Sequence, residues 1–359
     1  MKRRFSFFLC TLIMFTPLST TFAWGGDGHQ TVGKIASLRI KSRTAQQIAL
    51  ILKPGETLAN ISTWADTVKE RVGTSDPDPD TNAFLQDLEH NSRNREWHYV
   101  NLPLNCRSYQ TCHGFGLEND VVQMMGVAIR TLQDDPSARY PLSKRNALRL
   151  LVHLVGDIHQ PLHVGAGYIS DPGGKGPGGI VKDPAEIIRK HLPNDKGGND
   201  LVIDGGRQNL HGYWDFVLVT SLKTLTNQQT SDSLGQFLFR SVRPRTGWSS
   251  RGPVSTWPAQ WATDSLQQSR NHAYRSLLMT GRRTIPVLSG GKPVMNNGQP
   301  VMQTVYDVSR AGNYETANRE IVRQQLAKAG FRLATLLDAI FRVNSSQQTR
   351  EFMIQFPTG

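Results

Sequence analysis

Residues 143–163 read SKRNALRLLVHLVGDIHQPLH, and this stretch decides the fold. Ala147, Leu148, Leu150, Leu151, Val152, Leu154, Val155 and Ile158 cover nearly the whole circumference of a helix from Ser143 to His159. A helix apolar on all sides is buried, so other helices are expected to wrap around this one. His153 and Asp157 stand four residues apart within it and share one face. Burying both without partners is costly, and a metal ion would satisfy them together. Pro161 ends the helix, which lets the chain turn His163 back toward the same cavity.

Outward from this segment, apolar residues recur at helical spacing over 28–41, 44–53, 56–71, 119–134, 209–223, 258–279 and 316–343. Short extended pieces fit Trp97–Val100 and Leu201–Ile203. Two stretches read as irregular, 165–198 and 284–304, each punctuated by glycine or proline clusters. No repeat and no linker divides two cores. The expected fold is all-α, a mainly helical single domain over 24–359 with insertion-like loops at about 164–196 and 284–304.

The first 23 residues read as a signal peptide. Lys2, Arg3 and Arg4 precede an apolar run from Phe5 to Phe15, too short to span a bilayer, and cleavage is expected after Ala23. The mature chain then begins at Trp24, and its destination is secretion or the periplasm, with no membrane span. Removing three basic residues takes the formal charge from +12 to +9, a charge suited to polyanions. Glycine and proline together make 32 + 19 = 51 of 359 residues, which excludes a collagen-like or wholly disordered chain. Cys106 and Cys112 remain in the mature chain, and in an oxidising compartment a disulfide is favoured over a Cys-x5-Cys zinc site.

The remaining chemistry lies in histidines and aspartates set among apolar residues. His211 and Asp215 repeat the four-residue spacing in Asn209-Leu210-His211-Gly212-Tyr213-Trp214-Asp215. Trp64-Ala65-Asp66 and Trp97-His98-Tyr99 place an acid and a histidine beside tryptophans, and His29 lies five residues after Trp24. Imidazole and carboxylate without thiolate suit zinc in a hydrolytic site; manganese is also admitted, and the histidine content favours zinc.

The string His153-Leu154-Val155-Gly156-Asp157-Ile158-His159-Gln160-Pro161-Leu162-His163, with Asn209-Leu210-His211 and Trp214-Asp215, resembles the zinc-dependent class I nucleases. That family includes single-strand-specific nucleases and 3′-nucleotidase/nucleases, and the likeness runs from Trp24 through Ala329-Gly330-Phe331-Arg332-Leu333-Ala334. The resemblance implies the phospholipase C / class I nuclease fold and three Zn2+. One ion would be held by Asp66, His98, His153 and Asp157, and a second by His163, His211 and Asp215. The third would be held by His29, Asp157 and the amine and carbonyl of Trp24, which makes signal cleavage a step in building the site. The implied activity is hydrolysis of 3′-O–P bonds in single-stranded DNA and RNA by a zinc-bridged hydroxide, giving 5′-nucleotides, together with dephosphorylation of 3′-nucleotides.

Asp66 would orient the attacking water, and Lys69 would face the phosphate where the family commonly has arginine. Tyr99, Asn101 and Asn199 are the expected substrate contacts; relatives often carry aspartate at the place of Asn101, and Asn199 matches a Gly-Gly-Asn motif. Trp248, Trp257 and Trp261, near Arg240, Arg243, Arg245 and Arg251, offer stacking surfaces, although the spacing of Trp257 and Trp261 favours core. His90, His113, His159, His191 and His272 match no ligand position. The insertion Val164–Lys196 is longer than in most relatives. Two other readings compete: a zinc-dependent phospholipase C, whose last ligand is usually glutamate, and a secreted, zinc-stabilised polyanion-binding protein. No stable protein partner is implied.

Overall fold

The computed structural model describes residues 24–138, 140–170, 178–206, 208–289 and 292–342. The expected leader, and parts of both expected loops, lie outside them. Eight helices carry the frame: α1 (Gly25–Ser37), α2 (Trp64–Lys69), α3 (Val121–Leu132), α4 (Lys144–His159), α5 (Leu218–Leu225), α6 (Ser231–Ser241), α7 (Trp257–Gln268) and α8 (Tyr314–Ile340). The mostly helical architecture is the all-α class that the sequence implies.

Helix α4 is the axis. Ser143 caps it by accepting from the Asn146 N–H, and Gln160 leaves the helical region just before Pro161. Every residue from Arg145 to His159 is buried, against α3, α8, α2 and the turn Asn60–Thr63. Helix α1 packs on α8 and α6. The approach to α8 is close because Gly330 has no side chain: a Cβ there would lie 2.4 Å from the Ile35 Cβ. One contiguous apolar cluster runs through all of these helices.

Four sequence expectations are corrected. Trp97-His98 is not a strand; it ends a 3-10 turn, Asn94–His98, and extended pairing begins only after it, where Val100 N–H donates to the His163 carbonyl. The helical pattern at 209–223 is broken by a π-turn, Tyr213–Val217, between a single turn at Leu210–Gly212 and α5. The pattern at 258–279 ends in a second π-turn, Ser269–Ala273, and its last residues enter a strand.

The fourth is the stretch at 284–304, which is not irregular. It is the outer part of a β-ribbon belonging to a four-stranded sheet of β1 (Leu201–Ile203), β2 (Gln208–Asn209), β3 (Leu277–Pro286) and β4 (Met302–Arg310) in the order β2-β1-β4-β3. Strands β3 and β4 pair antiparallel from Arg310↔Leu277 to Met302↔Pro286, and β4 runs parallel to β1 with Tyr306 beside Leu201. The expected strand at Leu201–Ile203 is therefore present. In 164–196 the described residues form short strands, Gly165–Ala166, Tyr168–Ser170 and Gly179–Val181, followed by a helix, Pro184–Lys190.

Candidate metal centre

Five separate segments bring their histidines and aspartates to the C-terminal half of α4. His153 and Asp157 project from one face of it, with Nε2 and Oδ2 3.2 Å apart. The turn at Asn94–His98 delivers His98, whose Nδ1 lies 3.0 Å from both His153 Nε2 and Asp157 Oδ2. Helix α2 delivers Asp66, 3.7 Å from His153 Nε2. Helix α1 delivers His29, 3.3 Å from Asp157 Oδ1. Gly156 makes room for that ring, because a Cβ there would meet His29 Nδ1 at 2.5 Å. Beyond the helix end, His163 Nε2 meets His211 Nε2 at 3.1 Å, and Asp215 Oδ2 lies 3.3 Å from His211. All eight side chains are buried.

Three of the five imidazoles are aimed by their other nitrogen. His153 Nδ1–H donates to the Ser62 carbonyl at 2.7 Å, His163 Nδ1–H to the His98 carbonyl at 2.7 Å, and His211 Nδ1–H to the Gly197 carbonyl at 2.8 Å. A carbonyl only accepts, so in the neutral form of all three rings Nε2 keeps its lone pair and turns it inward, as in metal-ligating histidines. Gln160 fixes Asp215 by donating to its Oδ1 at 2.8 Å, and the Trp24 N–H donates to the same oxygen at 3.1 Å. Sequence reasoning left Gln160 without a role, although it lies inside the decisive motif.

Electrostatics agree with a site built for cations. Burial lowers His98 to about 4 and His211 to about 3, and it also lowers His29 and His163. These rings are neutral at neutral pH, the form that binds metal. Burial opposes the charge on Asp157, yet His153 and His163 hold it well below the usual range. His153 is raised because Asp157 and Asp66 outweigh its burial. Asp215 is raised by burial despite its two donors.

The donor set has room for ions. Among the described residues three groups bring their ligand atoms within 4.8 Å of one another: His29, Asp66 and His153; His98, His153 and Asp157; His163, His211 and Asp215. Both ring nitrogens of His29, Asp157 Oδ1 and Asp215 Oδ2 are buried without a hydrogen-bond partner. Four such orphans in one place are expected where cations complete the coordination.

The cluster forms the floor of a cavity of about 490 Å³, whose lining includes His98, His163, His211, Lys69, Tyr99, Asn101 and Asn199. The catalytic and substrate-contact residues expected from the sequence thus share one cleft, except Asp66, which is buried beneath it and accepts from Lys69 Nζ at 2.7 Å. Asn199 is held in its turn, donating to the Lys196 carbonyl at 2.8 Å. Trp248, Trp257, Trp261 and their neighbouring arginines do not line this cleft, and Trp261 is fully buried, with its Nε1–H on Ser250. His159 is also core: its Nδ1–H donates to the Val155 carbonyl, and its Nε2 meets Arg332. The disulfide Cys106–Cys112 is present, in the loop between the His98 turn and α3.

A buried imidazole–carboxylate cluster beneath an open cleft is the donor arrangement of a hydrolytic metal centre. The S1/P1 nuclease family profile matches residues 24–342, and the chain belongs to that family. The protein is therefore a nuclease-type hydrolase. It is similar to Nuclease S1 of Aspergillus oryzae, at 25% identity over 338 residues covering 89% of this chain and 92% of that one. It is also similar to Endonuclease 4 of Arabidopsis thaliana, at 23% identity over 351 residues covering 93% and 94%. Nuclease P1 of Penicillium citrinum matches at 25% identity over 257 residues, 67% of this chain and 78% of that one.

Proposed function

We propose that the mature chain, exported and cleaved before Trp24, is a single-strand-specific phosphodiesterase of DNA and RNA that also dephosphorylates 3′-nucleotides, with three zinc ions in its centre. The observation that carries this reading is the group of orphaned, buried imidazole and carboxylate atoms of His29, Asp157 and Asp215, in the same cluster as His98, His163 and His211, which line the cleft. The family resemblance divides the donors among three ions. Asp66, His98, His153 and Asp157 hold one ion, and His163, His211 and Asp215 hold another. His29, Asp157 and the Trp24 amine and carbonyl hold the third. Zinc, when bound, supplies Lewis acidity and brings the acidity of a bound water close to neutral pH.

The chain's own groups do the rest. Asp66 orients the attacking water with a carboxylate that His153, Lys69 and His98 keep ionised against its burial. Lys69, fixed by Asp66, presents positive charge to the phosphate. Tyr99, Asn101 and Asn199 receive the nucleotide along the cleft wall. A duplex about 20 Å across does not bring its phosphates to a recessed floor, whereas a single strand delivers one phosphate and stacks one base.

The test compares initial rates on a single-stranded oligonucleotide, the same strand annealed to its complement, and 3′-AMP, each with and without zinc chelation. Faster cleavage of the single strand, abolished by chelation in a protein that stays folded, is expected. Equal rates on paired and unpaired substrate overturn the strandedness, and full activity after chelation overturns the metal centre.

A further inference from the structure

A second cluster of buried charge takes no part in the metal centre. His159 follows Asp157 by two residues in α4, about 200° round the helix, and packs on Trp261 of α7. Its Nε2 meets Arg332 Nη1 of α8 at 3.0 Å. The same guanidinium donates to Asp264 Oδ2 of α7 at 2.8 Å, and its Nε–H donates to the Trp248 carbonyl at 3.0 Å. Lys328, one turn earlier in α8, donates to the same Asp264 oxygen at 2.7 Å. Lys328 and Arg332 are each only 6% exposed. Beside them lies a cavity of about 290 Å³ whose lining includes Arg245, Trp248, Asp264, Gln268, Gln324 and Lys328. Among the described residues, none lines both this cavity and the metal cleft.

The charge in this cluster does not balance. Two buried cations share one carboxylate oxygen, and Arg245, exposed at the lining, adds a third positive charge. Glu320 does not offset them, because Arg323 already holds it at 2.7 and 2.8 Å. The other end of α4 shows the balanced case: Arg145 and Arg149 meet Glu56, Asp78 and Asp80, and hydrogen bonds from Glu56 raise Arg145 above its ordinary value. Lys328 and Arg332 move the opposite way. Burial lowers both, Asp264 does not restore them, and Arg332 and Arg245 lower Lys328 further. Buried positive charge left uncompensated is costly, and an anion in the adjoining cavity would offset it.

We propose that this cavity is a second anion site, separate from the metal centre, in which Arg245 and Lys328 bind the oxygens of a phosphate group between α7, α8 and the turn Thr246–Trp248. The inference goes beyond the proposed function and does not depend on it. Arginine offers a planar fork of donors and lysine a compact charge, a pair suited to a tetrahedral oxyanion. Gln268 adds a neutral amide to the lining. A cavity of about 290 Å³ sits just below the roughly 300–1,000 Å³ of typical small-molecule sites, which suits a phosphate group rather than a whole nucleotide. That group is either free phosphate or one diester of a strand lying across the surface. Asp264 repels an anion, and this gives the test a sign.

The experiment titrates the zinc-loaded protein with inorganic phosphate by calorimetry and measures KM on a dinucleotide and on a long single strand. A phosphate-binding event is expected that Arg245→Gln and Lys328→Met each weaken about tenfold, the effect of one hydrogen bond to a charged group, and that Asp264→Asn tightens. Arg245 is exposed, so its variant keeps the test open should Lys328→Met fail to fold. Arg243→Gln, at an exposed arginine outside the lining, is the control and is expected to leave the isotherm unchanged. In Arg245→Gln, a weakened isotherm with unchanged KM on both substrates assigns the site to free phosphate. A weakened isotherm with KM raised on the long strand alone assigns it to a diester of the strand. An isotherm identical in wild type and Arg245→Gln overturns the site, as does weaker binding in Asp264→Asn, which would mean that the cluster only braces α7 against α8. Either result leaves the nuclease reading intact.

Discussion

The two halves of α4 carry equally polar side chains and meet different fates. Near its N-terminus, Arg145 and Arg149 are buried, and both reach Glu56 Oε1 at 2.6 Å. Asp78 accepts from Arg145 at 2.6 Å and from Arg149 at 2.9 Å, and Asp80 accepts from Arg145 at 3.0 Å. In that knot a single side-chain nitrogen of the two arginines, Arg149 Nε, lacks a partner. Near the C-terminus, the cluster around His153 and Asp157 leaves four atoms unpartnered across His29, Asp157 and Asp215. Buried charges that satisfy one another hold a fold together. Buried ligands that do not are waiting for something that the chain itself does not supply.

The sharpest way to break this contrast is at Asp157, the ligand proposed to be shared by two ions. Asp157→Asn is expected to lower activity by roughly 10³-fold or more and to reduce zinc from three ions to one, read by elemental analysis of folded protein. Wild-type zinc-replete protein that holds only one ion would remove the basis for calling the C-terminal half a cluster of sites. A smaller effect follows from the chain end. Trp24 is fully buried and its nitrogen lies on Asp215. One extra residue before it is expected to lower zinc affinity and turnover about 100-fold, at the upper end of effects seen on disturbing metal-site support. A tagged protein, verified by mass, with mature-level activity would contradict this.

The N-terminal half should answer to stability instead. Arg149→Met leaves Glu56 and Asp78 with Arg145 alone of the two arginines and is expected to cost about 3 kcal/mol in denaturant unfolding, with kcat of the folded fraction nearly unchanged. The same knot sets a pH response. Burial favours protonation of Glu56, but Arg145, the Lys53 N–H and Arg149 lower its pKa from 4.5 to about 2. A depressed carboxylate stabilises the fold above its unfolded pKa, and that contribution is lost as pH falls from 4.5 toward about 2. Acid titration of unfolding should therefore be shallower over this window in Arg149→Met than in wild type; identical slopes would mean that the knot is not the acid-labile element. The smallest effect belongs to the disulfide. Cys112→Ser opens a short loop and is expected to cost about 2 kcal/mol, measured by the same unfolding curves.

Much of the centre was legible because its spacing is local. His153 and Asp157, like His211 and Asp215, are four residues apart, and a helix turns that spacing into a shared face whatever surrounds it. The all-round apolar pattern of 143–159 likewise requires burial, so the axis of the fold and the place of its ligands follow from one segment. His98 was read on a strand, whereas it ends the 3-10 turn Asn94–His98 and from there meets His153 and Asp157. Its two-residue alternation with Trp97 cannot distinguish a strand from a 3-10 turn with both side chains buried.

What the sequence determined by itself is which imidazoles and carboxylates are set among apolar residues, the buried helix that carries His153 and Asp157, the strand at Leu201–Ile203, and the family. What only the tertiary structure decided is where those groups stand relative to everything else. Arg145 and Arg149 could not be told from solvent-facing residues until Glu56 and Asp78, from distant turns, were seen beneath them. The ribbon gave no signal because half of β3 is exposed and only Met279 in it is buried, so it lacks the alternation that one buried face imposes. The π-turn at Tyr213–Val217 hid inside a helical pattern because one extra residue barely changes apolar spacing. Periodicity is a property of neighbouring residues, whereas the ribbon that lines the cleft is anchored by β4 pairing with β1, Tyr306 beside Leu201, more than 100 residues apart, and such pairing is settled only when the whole chain has packed.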